Sequence, residues 1–202
     1  MRVITGSARG RKLKALPGRD TRPTTDKVKE SIFNIVQFDV EGRRVLDLFA
    51  GTGQLGIEAL SRGAERCTFV ELNRAAAALV RENVDHCGFA LRAEVVQSDA
   101  AAYLTGCGEK FGLVLLDPPY ASPLLERSLE LISKIDIVAG NGIIVCESAA
   151  ERELPQLDAP YEKGREYRYG KIKLTVYRRR ACQDHTGKDV TAHEDSHLPR
   201  QL

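Results

Sequence analysis

One stretch of the chain, residues 45–58, restricts the possible folds more than any other. It begins with the apolar run V-L-D-L-F, which is typical of a strand that is covered on both faces of a parallel sheet. Three glycines follow with the spacing G-x-G-x-x-G, at positions 51, 53 and 56. This spacing is typical of a strand-to-helix turn that binds a phosphate or a nucleotide, although glycines also close ordinary tight turns.

Two acidic residues stand where parallel strands are predicted to end. Asp47 interrupts the first apolar run, and Glu71 follows 24 residues later in the run C-T-F-V-E-L. Ligands of open α/β sheets bind outside the carboxyl ends of the strands. The sequence therefore predicts a first candidate site at Asp47, Ala50, Gly51 and Gly53. Glu71 would emerge beside it and accept the two hydroxyls of a ribose, or else be a polar strand end without a ligand.

Strand and helix patterns alternate along most of the chain. Helical spacing begins at residue 23 and returns at residues 55–62, 74–87 and 124–135. Strands are predicted from residue 43 and at residues 67–72, 94–97, 111–116 and 142–147, with a hairpin at 161–168 and 171–178. This order predicts an α/β fold with a doubly wound, Rossmann-like sheet that is mostly parallel and ends in a C-terminal antiparallel hairpin.

Positive charge is concentrated at the N-terminus. Residues 1–29 carry nine Lys or Arg and two Asp, a net charge of +7, whereas the whole chain carries +2. Partial alternation at residues 2–5 and 11–16 predicts a small β-ribbon with its basic side chains outward. A basic ribbon on an acidic body is typical of a protein that binds a phosphate backbone, and the alternative is a solvated, disordered leader. The candidate contacts are Arg2, Arg9, Arg11, Lys12 and Arg22.

The composition narrows the class of protein. At 202 residues and 43% hydrophobic content, the chain suits one globular domain with short appendages. We expect a basic arm at residues 1–22, the main domain at 23–180 and a disordered polar tail at 181–202. The sequence offers no apolar stretch typical of a membrane span or a signal peptide, so a cytoplasmic location without membrane association is expected. Five widely spaced cysteines without C-x-x-C predict neither a metal site nor a disulfide framework.

The segment D-P-P-Y at residues 117–120 follows the predicted strand 111–116. Its two prolines fix the backbone and remove two amide donors, which leaves the Asp117 carboxylate and the Pro118 carbonyl as acceptors. Tyr120 adds an aromatic face that can stack on a planar base. These residues predict a substrate with an amino group on a flat ring, although a lone Asp-Pro also begins plain turns. Asp117, Pro118 and Tyr120 are the candidate catalytic residues, and Pro119 and Tyr120 are candidate contacts with the substrate that carries this ring.

With these motifs the chain resembles the S-adenosylmethionine-dependent amino-methyltransferases, and within them the bacterial RsmD family. The resemblance rests on D-L-F-A-G-T-G at 47–53, V-E at 70–71, S-D-A at 98–100, D-P-P-Y at 117–120 and R-P-T-T-D-K-V-K-E-S-I-F-N-I at 22–35. It implies a class I methyltransferase domain that methylates the exocyclic N2 of a guanine in 16S ribosomal RNA, the position usually called G966. The implied partner is the small ribosomal subunit or its assembly intermediates, and the implied product of the cofactor is S-adenosylhomocysteine. We also expect a monomer and no metal.

The resemblance also implies roles for individual residues. The cofactor would be contacted at its methionine part by the glycine loop and Asp47, at its ribose by Glu71, and at its adenine by Asp99 and Ala100. The guanine would be bound by Asp117, Pro118 and Tyr120. Arg22 and Thr24 match the N-terminal motif of the family, and their contact with cofactor or with RNA stays open.

Three other functions stay open on the sequence. The glycine spacing with Glu71 also fits a nicotinamide-dependent oxidoreductase, in which D-P-P-Y would have no role. A non-catalytic RNA-binding or assembly factor could keep the same fold. An enzyme of this fold could instead methylate adenine N6 in DNA or a protein side-chain amide, although little more than the basic N-terminus is available to read a nucleic acid.

Overall fold

The computed structural model describes residues 1–15, 26–119 and 122–181. The expectations for Arg22, Thr24, Tyr120 and nearly all of the polar tail therefore lie outside the described residues. Five α-helices are described: α1 (Asp26–Ile35), α2 (Gln54–Ser61), α3 (Arg74–Cys87), α4 (Ala100–Gly106) and α5 (Leu124–Ile135). Seven strands are described: β1 (Arg44–Asp47), β2 (Arg66–Glu71), β3 (Ala93–Gln97), β4 (Phe111–Leu116), β5 (Val138–Ala149), β6 (Tyr161–Tyr169) and β7 (Ile172–Arg179).

The seven strands form one sheet in the order β3-β2-β1-β4-β5-β7-β6. The first five strands are parallel, and β7 is antiparallel to both of its neighbours, β5 and β6. The predicted Rossmann-like α/β fold with a C-terminal antiparallel hairpin is confirmed. The strand order reverses between β1 and β4, and the crevice at such a switch point is where ligands of this fold class bind.

The two faces of the sheet are covered by separate apolar clusters. Neighbouring residues of β1 alternate between them, because Val45 belongs to the cluster under α1, α2 and α3 and Leu46 to the cluster under α4 and α5. Both side chains are fully buried. Strands covered on both faces read as continuous apolar runs, which explains why the sequence pattern located them.

Three elements differ from the sequence prediction. Strand β1 ends at Asp47, so the next two residues already belong to the turn. Strand β5 begins at Val138 rather than at residue 142. The Gly and Asn residues before residue 143 are typical of a turn, but the register with β4 shifts there and the pairing continues on both sides of the shift. Helix α4 was not predicted, since its seven residues are too few to show a helical period.

The N-terminal ribbon is shorter than predicted but firmly attached. Its pairing is reduced to one antiparallel bridge, Arg2 with Lys12. Val3 and Leu13 lie in the apolar cluster under α1, α2 and α3, whereas Arg2, Arg9, Arg11 and Lys12 are exposed. The ribbon turns at Gly6, where φ is 85° and an added Cβ would meet the Ser61 carbonyl oxygen at 1.8 Å. For residues 1–15, the alternative of a disordered leader is therefore wrong.

Candidate active site

The carboxyl ends of four neighbouring strands bring four acidic residues to one edge of the sheet. Asp47 and Glu71 are the last residues of β1 and β2. Asp117 directly follows β4, and Asp99 lies two residues beyond β3 as the N-cap of α4. Because β3, β2, β1 and β4 are adjacent in this order, the predicted site residues of four separate segments share one edge.

The glycine loop needs two glycines for its backbone and a third for packing. Gly51 and Gly53 have φ angles of 56° and 79°, in the left-handed region that side chains disfavour. Gly53 is the N-cap residue of α2 and donates its N–H to the Ala50 carbonyl at 2.7 Å. At Gly56 an added Cβ would lie 2.2 Å from the Phe69 ring, so only glycine lets α2 pack this closely on β2. The loop is therefore a tight turn whose conformation depends on these three glycines.

Asp47 lies beneath this loop. Its side chain is 1% exposed, and its Oδ2 accepts the Gly56 N–H at 2.9 Å. Burial raises the pKa of Asp47 to about 7; the Gly56 N–H opposes this rise, and the nearby Asp117 and Glu71 carboxylates add to it. Asp47 therefore fixes the start of α2 and changes its charge near neutral pH.

Replacing Asp47 with asparagine should change how stability depends on pH. The folded protein holds the Asp47 proton up to about pH 7, whereas the unfolded chain loses it at about pH 4. The free energy of unfolding therefore falls as the pH rises through this window. Between about pH 5 and pH 8, we expect the ligand-free wild type to lose roughly 2 to 3 kcal/mol more than Asp47→Asn in urea unfolding. Equal losses in both proteins would contradict the buried, protonated Asp47.

Glu71 connects the glycine loop to the end of β2. Its Oε2 accepts the Gly51 N–H at 2.9 Å, and its Oε1 accepts the Asn73 N–H at 2.8 Å. A carboxylate has about four lone-pair sites, so two acceptor positions of Glu71 bond no group in the described part of the chain. The half-buried side chain is thus held in one orientation by the backbone beside the loop.

Asp99 and Leu72 border the same edge from β3 and β2. Oδ1 of Asp99 accepts the N–H groups of Ala101 and Ala102 at 3.0 and 3.1 Å. Ala100 is buried behind it. Leu72, which the sequence analysis missed, is 67% exposed directly after Glu71. The sequence shows Leu72 as the last residue of the run C-T-F-V-E-L, but only the structure shows that it is exposed. It offers an apolar surface next to the Glu71 carboxylate.

The described part of the D-P-P-Y segment forms an anchored turn. Asp117 is half-buried, Pro118 buried and Pro119 exposed. The Pro119 carbonyl accepts the N–H and the hydroxyl of Ser122 at 3.3 and 3.0 Å. Arg152, another residue that the sequence analysis missed, donates to the Ser122 carbonyl at 2.7 Å and to Glu126 of α5 at 2.7 Å. The guanidinium therefore ties the exit of this loop to the following helix.

Four of the predicted RNA contacts belong to the N-terminal ribbon and not to the strand ends. Arg2, Arg9, Arg11 and Lys12 are all exposed on the ribbon. The Arg11 guanidinium donates to the His86 carbonyl near the end of α3, and Arg2 pairs with Asp26 at 3.5 Å. The structure thus displays these four cations together. Among the residues that it describes, no group of His, Cys, Asp and Glu could hold a metal ion, and no helix is long and apolar enough to cross a membrane.

Comparison with known proteins shows which family has a similar sequence and the same fold. The model of the family described as Conserved hypothetical protein 95 matches residues 1–178. YlbH of Bacillus subtilis (strain 168), provisionally described as an rRNA methyltransferase, is 43% identical over 183 residues, covering 89% of this chain and 100% of that protein. Ribosomal RNA small subunit methyltransferase D of Escherichia coli (strain K12) is 36% identical over 181 residues, covering 90% and 91%.

A solved structure agrees with the sequence matches. The Escherichia coli protein yhhF, provisionally described as a methyltransferase, superposes with a TM-score of 0.82 at 36% identity, covering 90% of this chain and 98% of that one. The similarity therefore extends over the ribbon, the sheet and the four strand ends. The chain belongs to the RsmD family of S-adenosylmethionine-dependent methyltransferases.

Proposed function

We propose that this protein transfers a methyl group from S-adenosylmethionine to the exocyclic N2 of a guanine in 16S ribosomal RNA, the position usually called G966, within the small ribosomal subunit or its assembly intermediates. The observation that carries the proposal is the position of Asp117 and Pro118 at the carboxyl end of β4, beside the glycine loop of β1. The relatives named as ribosomal RNA methyltransferases support the class of substrate. Family membership removes the nicotinamide-dependent oxidoreductase from the alternatives.

The residues at the strand ends fit this cofactor. The two remaining acceptor positions of Glu71 suit the two hydroxyls of a ribose, and Asp99 Oδ2, which bonds no group among the described residues, suits an amino group of adenine. Leu72 would cover one face of the purine. Gly51, where an added Cβ would come no closer than 4.0 Å to another atom, leaves the loop backbone open to the methionine part, whereas the missing Cβ of Gly53 makes room for Val80 and Ile57. When bound, the cofactor supplies a methyl group made reactive by its sulfonium.

Asp117 and Pro118 would act by orienting the nucleophile. The amino group of guanine is a weak nucleophile because its lone pair is delocalised into the ring. Hydrogen bonds from its two hydrogens to the Asp117 carboxylate and the Pro118 carbonyl favour a pyramidal nitrogen and hold its lone pair in one direction. The carboxylate also stabilises positive charge that develops on the nitrogen. Arg152 keeps this loop in place through the Ser122 carbonyl.

Tyr120 is proposed to stack on the guanine once the base has left its own stack. Replacing Tyr120 with alanine should lower turnover roughly 5- to 100-fold, because base stacking on an aromatic side chain contributes about 1 to 3 kcal/mol. The matched control is Tyr120→Phe, which keeps the aromatic face and should retain most of the turnover. S-adenosylhomocysteine affinity, measured by calorimetry, should be unchanged in both variants. A parallel loss of cofactor affinity in Tyr120→Ala would contradict the assignment to the base.

The ribbon is proposed to provide RNA affinity through its exposed cations. Reversing Arg9, Arg11 and Lys12 to glutamate should weaken binding to 16S RNA and reduce the slope of log K against log salt by roughly two to three. The matched control reverses Arg165, Arg168 and Lys171, three exposed cations of the β6–β7 hairpin, and changes the net charge equally. A salt slope that responds equally to both triple variants would contradict a specific role of the ribbon.

A methyl-transfer assay separates the proposed function from the two alternatives that remain, an enzyme of the same fold with another target and a non-catalytic assembly factor. Radiolabelled S-adenosylmethionine is offered with small ribosomal subunits, naked 16S RNA, duplex DNA and ribosomal proteins in parallel reactions. The proposal predicts label in 16S RNA, and comparison of subunits with naked RNA identifies the accepted form. Label in DNA or in protein would favour an enzyme of the same fold with another target, and RNA binding without any label would favour an assembly factor.

A further inference from the structure

A single buried amide joins the glycine loop to the basic ribbon. Asn83 of α3 is 0% exposed. Its Oδ1 accepts the Lys14 N–H at 2.9 Å, and its Nδ2 donates to the Lys14 carbonyl at 3.1 Å and to the Thr52 carbonyl at 2.9 Å. Both hydrogens and the oxygen of this amide are thus used, two bonds on the ribbon side and one on the loop side.

The two ends of this link belong to the two sites described above. Thr52 stands between Gly51 and Gly53, at the tip of the loop proposed to receive the methionine part of the cofactor. Lys14 lies two residues after Lys12, on the ribbon that carries the exposed cations. A second contact runs parallel, because the Thr52 hydroxyl lies 3.6 Å from the Met1 sulfur and Met1 in turn accepts the Leu13 N–H. The ribbon is therefore attached to the part of the loop that a bound cofactor would fix.

The planar amide makes this attachment stiff. Its three hydrogen bonds are held in one plane, so a shift of the Thr52 carbonyl must break a bond or move the Lys14 backbone. Because the side chain is fully buried, water cannot replace a lost partner. A ligand that immobilises the loop would therefore also immobilise the ribbon. A second ligand would then lose less conformational entropy when it binds the ribbon, and the two ligands would bind with positive cooperativity.

We propose that Asn83 is a positioning residue that couples the cofactor site to the basic ribbon, so that the cofactor and RNA strengthen each other's binding. The coupling rests on the proposed function, because it takes the ribbon as the RNA-binding surface. It adds a property that neither site has alone. By linkage, the factor by which S-adenosylhomocysteine tightens RNA binding equals the factor by which RNA tightens S-adenosylhomocysteine binding.

The test measures this factor with S-adenosylhomocysteine and small ribosomal subunits that lack the modification, the form of the RNA that the proposed function names. In the wild type, we expect each ligand to lower the Kd of the other about 5-fold or more. In Asn83→Leu, which keeps the approximate size of the side chain and removes its three bonds, the factor should fall to about one. The Kd of each ligand alone should stay within about threefold. A wild-type factor of one, or an unchanged factor in Asn83→Leu, would overturn the coupling.

Ser61→Ala provides the matched control. The Ser61 hydroxyl also ties the ribbon to a helix, since it donates to the Thr5 carbonyl at 2.6 Å and accepts the Ala8 N–H at 3.0 Å, but its bonds reach only the ribbon and not the glycine loop. This variant should loosen the ribbon and keep the coupling factor. Equal loss of the factor in both variants would reduce Asn83 to a general structural role.

A measurement on the wild type covers the case in which Asn83→Leu does not fold. Hydrogen exchange at the Leu13 and Lys14 amides should slow when S-adenosylhomocysteine is added without RNA, and unchanged protection there would overturn the proposal. The binding experiments also distinguish failure of the proposed function from failure of the coupling. Failure of the ligands to bind singly would refute the proposed function, whereas single binding without mutual strengthening would refute only the coupling.

Discussion

Replacing Asp117 with alanine should lower the rate of methyl transfer roughly 10²- to 10³-fold and leave the Kd for S-adenosylhomocysteine within about threefold of the wild type. The expected loss is large because the proposed function gives this one carboxylate two tasks, accepting a hydrogen of the amino group and stabilising the charge that develops on its nitrogen. Single-turnover rates with saturating RNA separate this chemical step from binding.

Asp117→Asn is the informative partner of this variant. It keeps an acceptor oxygen in nearly the same place and removes the negative charge, so its rate should fall between those of the wild type and Asp117→Ala. Removing the charge should also lower the pKa of Asp47, which the Asp117 carboxylate helps to raise. An alanine variant that retains more than about a tenth of the wild-type rate would exclude a direct role of Asp117 in the reaction.

Replacing Glu58 with alanine should lower the free energy of unfolding by about 3 to 5 kcal/mol. Glu58 is fully buried on α2, and its carboxylate accepts the N–H groups of Ile4 and Thr5 at 2.7 and 2.9 Å and the Arg62 Nε at 2.9 Å. Lys29 Nζ, also fully buried, lies 3.7 Å away. Alanine would leave a buried ammonium without its counter-charge and two ribbon amides without an acceptor.

Urea unfolding measures this loss of stability, and removal of an exposed ion pair provides the comparison. Glu82→Ala breaks the pair of Lys14 with Glu82, whose side chains are 67% and 56% exposed, and should cost less than about 1 kcal/mol. Burial lowers the pKa of Lys29 and the Glu58 carboxylate opposes this shift, so Glu58→Ala should lose less stability at high pH, where Lys29 can shed its proton. A loss at Glu58 no larger than that at Glu82 would mean that the buried pair does not hold the ribbon.

The elements that the sequence predicted best are those whose signal is local. Strand β4 is an uninterrupted apolar run, and its predicted bounds match Phe111–Leu116. Helix α3 spans Arg74–Cys87, the range that the sequence predicted, and Gly88 ends it with a φ of 78°, in the left-handed conformation that glycine favours. The shared position of Asp47, Glu71, Asp99 and Asp117 followed from topology, since parallel strands place their carboxyl ends at one edge.

The residues that escaped prediction act through contacts between distant segments. Glu58 reads as an ordinary polar residue of a short helix, yet its partners Ile4 and Thr5 lie 54 and 53 positions away. Asn83 reads as a polar position in a long helix, and its link to Lys14 spans 69 positions. Arg152 lies 30 positions from Ser122. No periodicity or motif marks such pairs, because the fold alone brings them together.

The identity of the methylated atom tests the proposed function most directly. Small ribosomal subunits that lack the modification are incubated with labelled S-adenosylmethionine and the wild-type protein, and the 16S RNA is then digested to nucleosides and analysed by chromatography and mass. We expect a single labelled nucleoside, N2-methylguanosine, which forms roughly 10²- to 10³-fold more slowly when Asp117→Ala replaces the wild type. Label in 6-methyladenosine, in another nucleoside or in ribosomal protein would contradict the assignment of Asp117 and Pro118 to the amino group of a guanine.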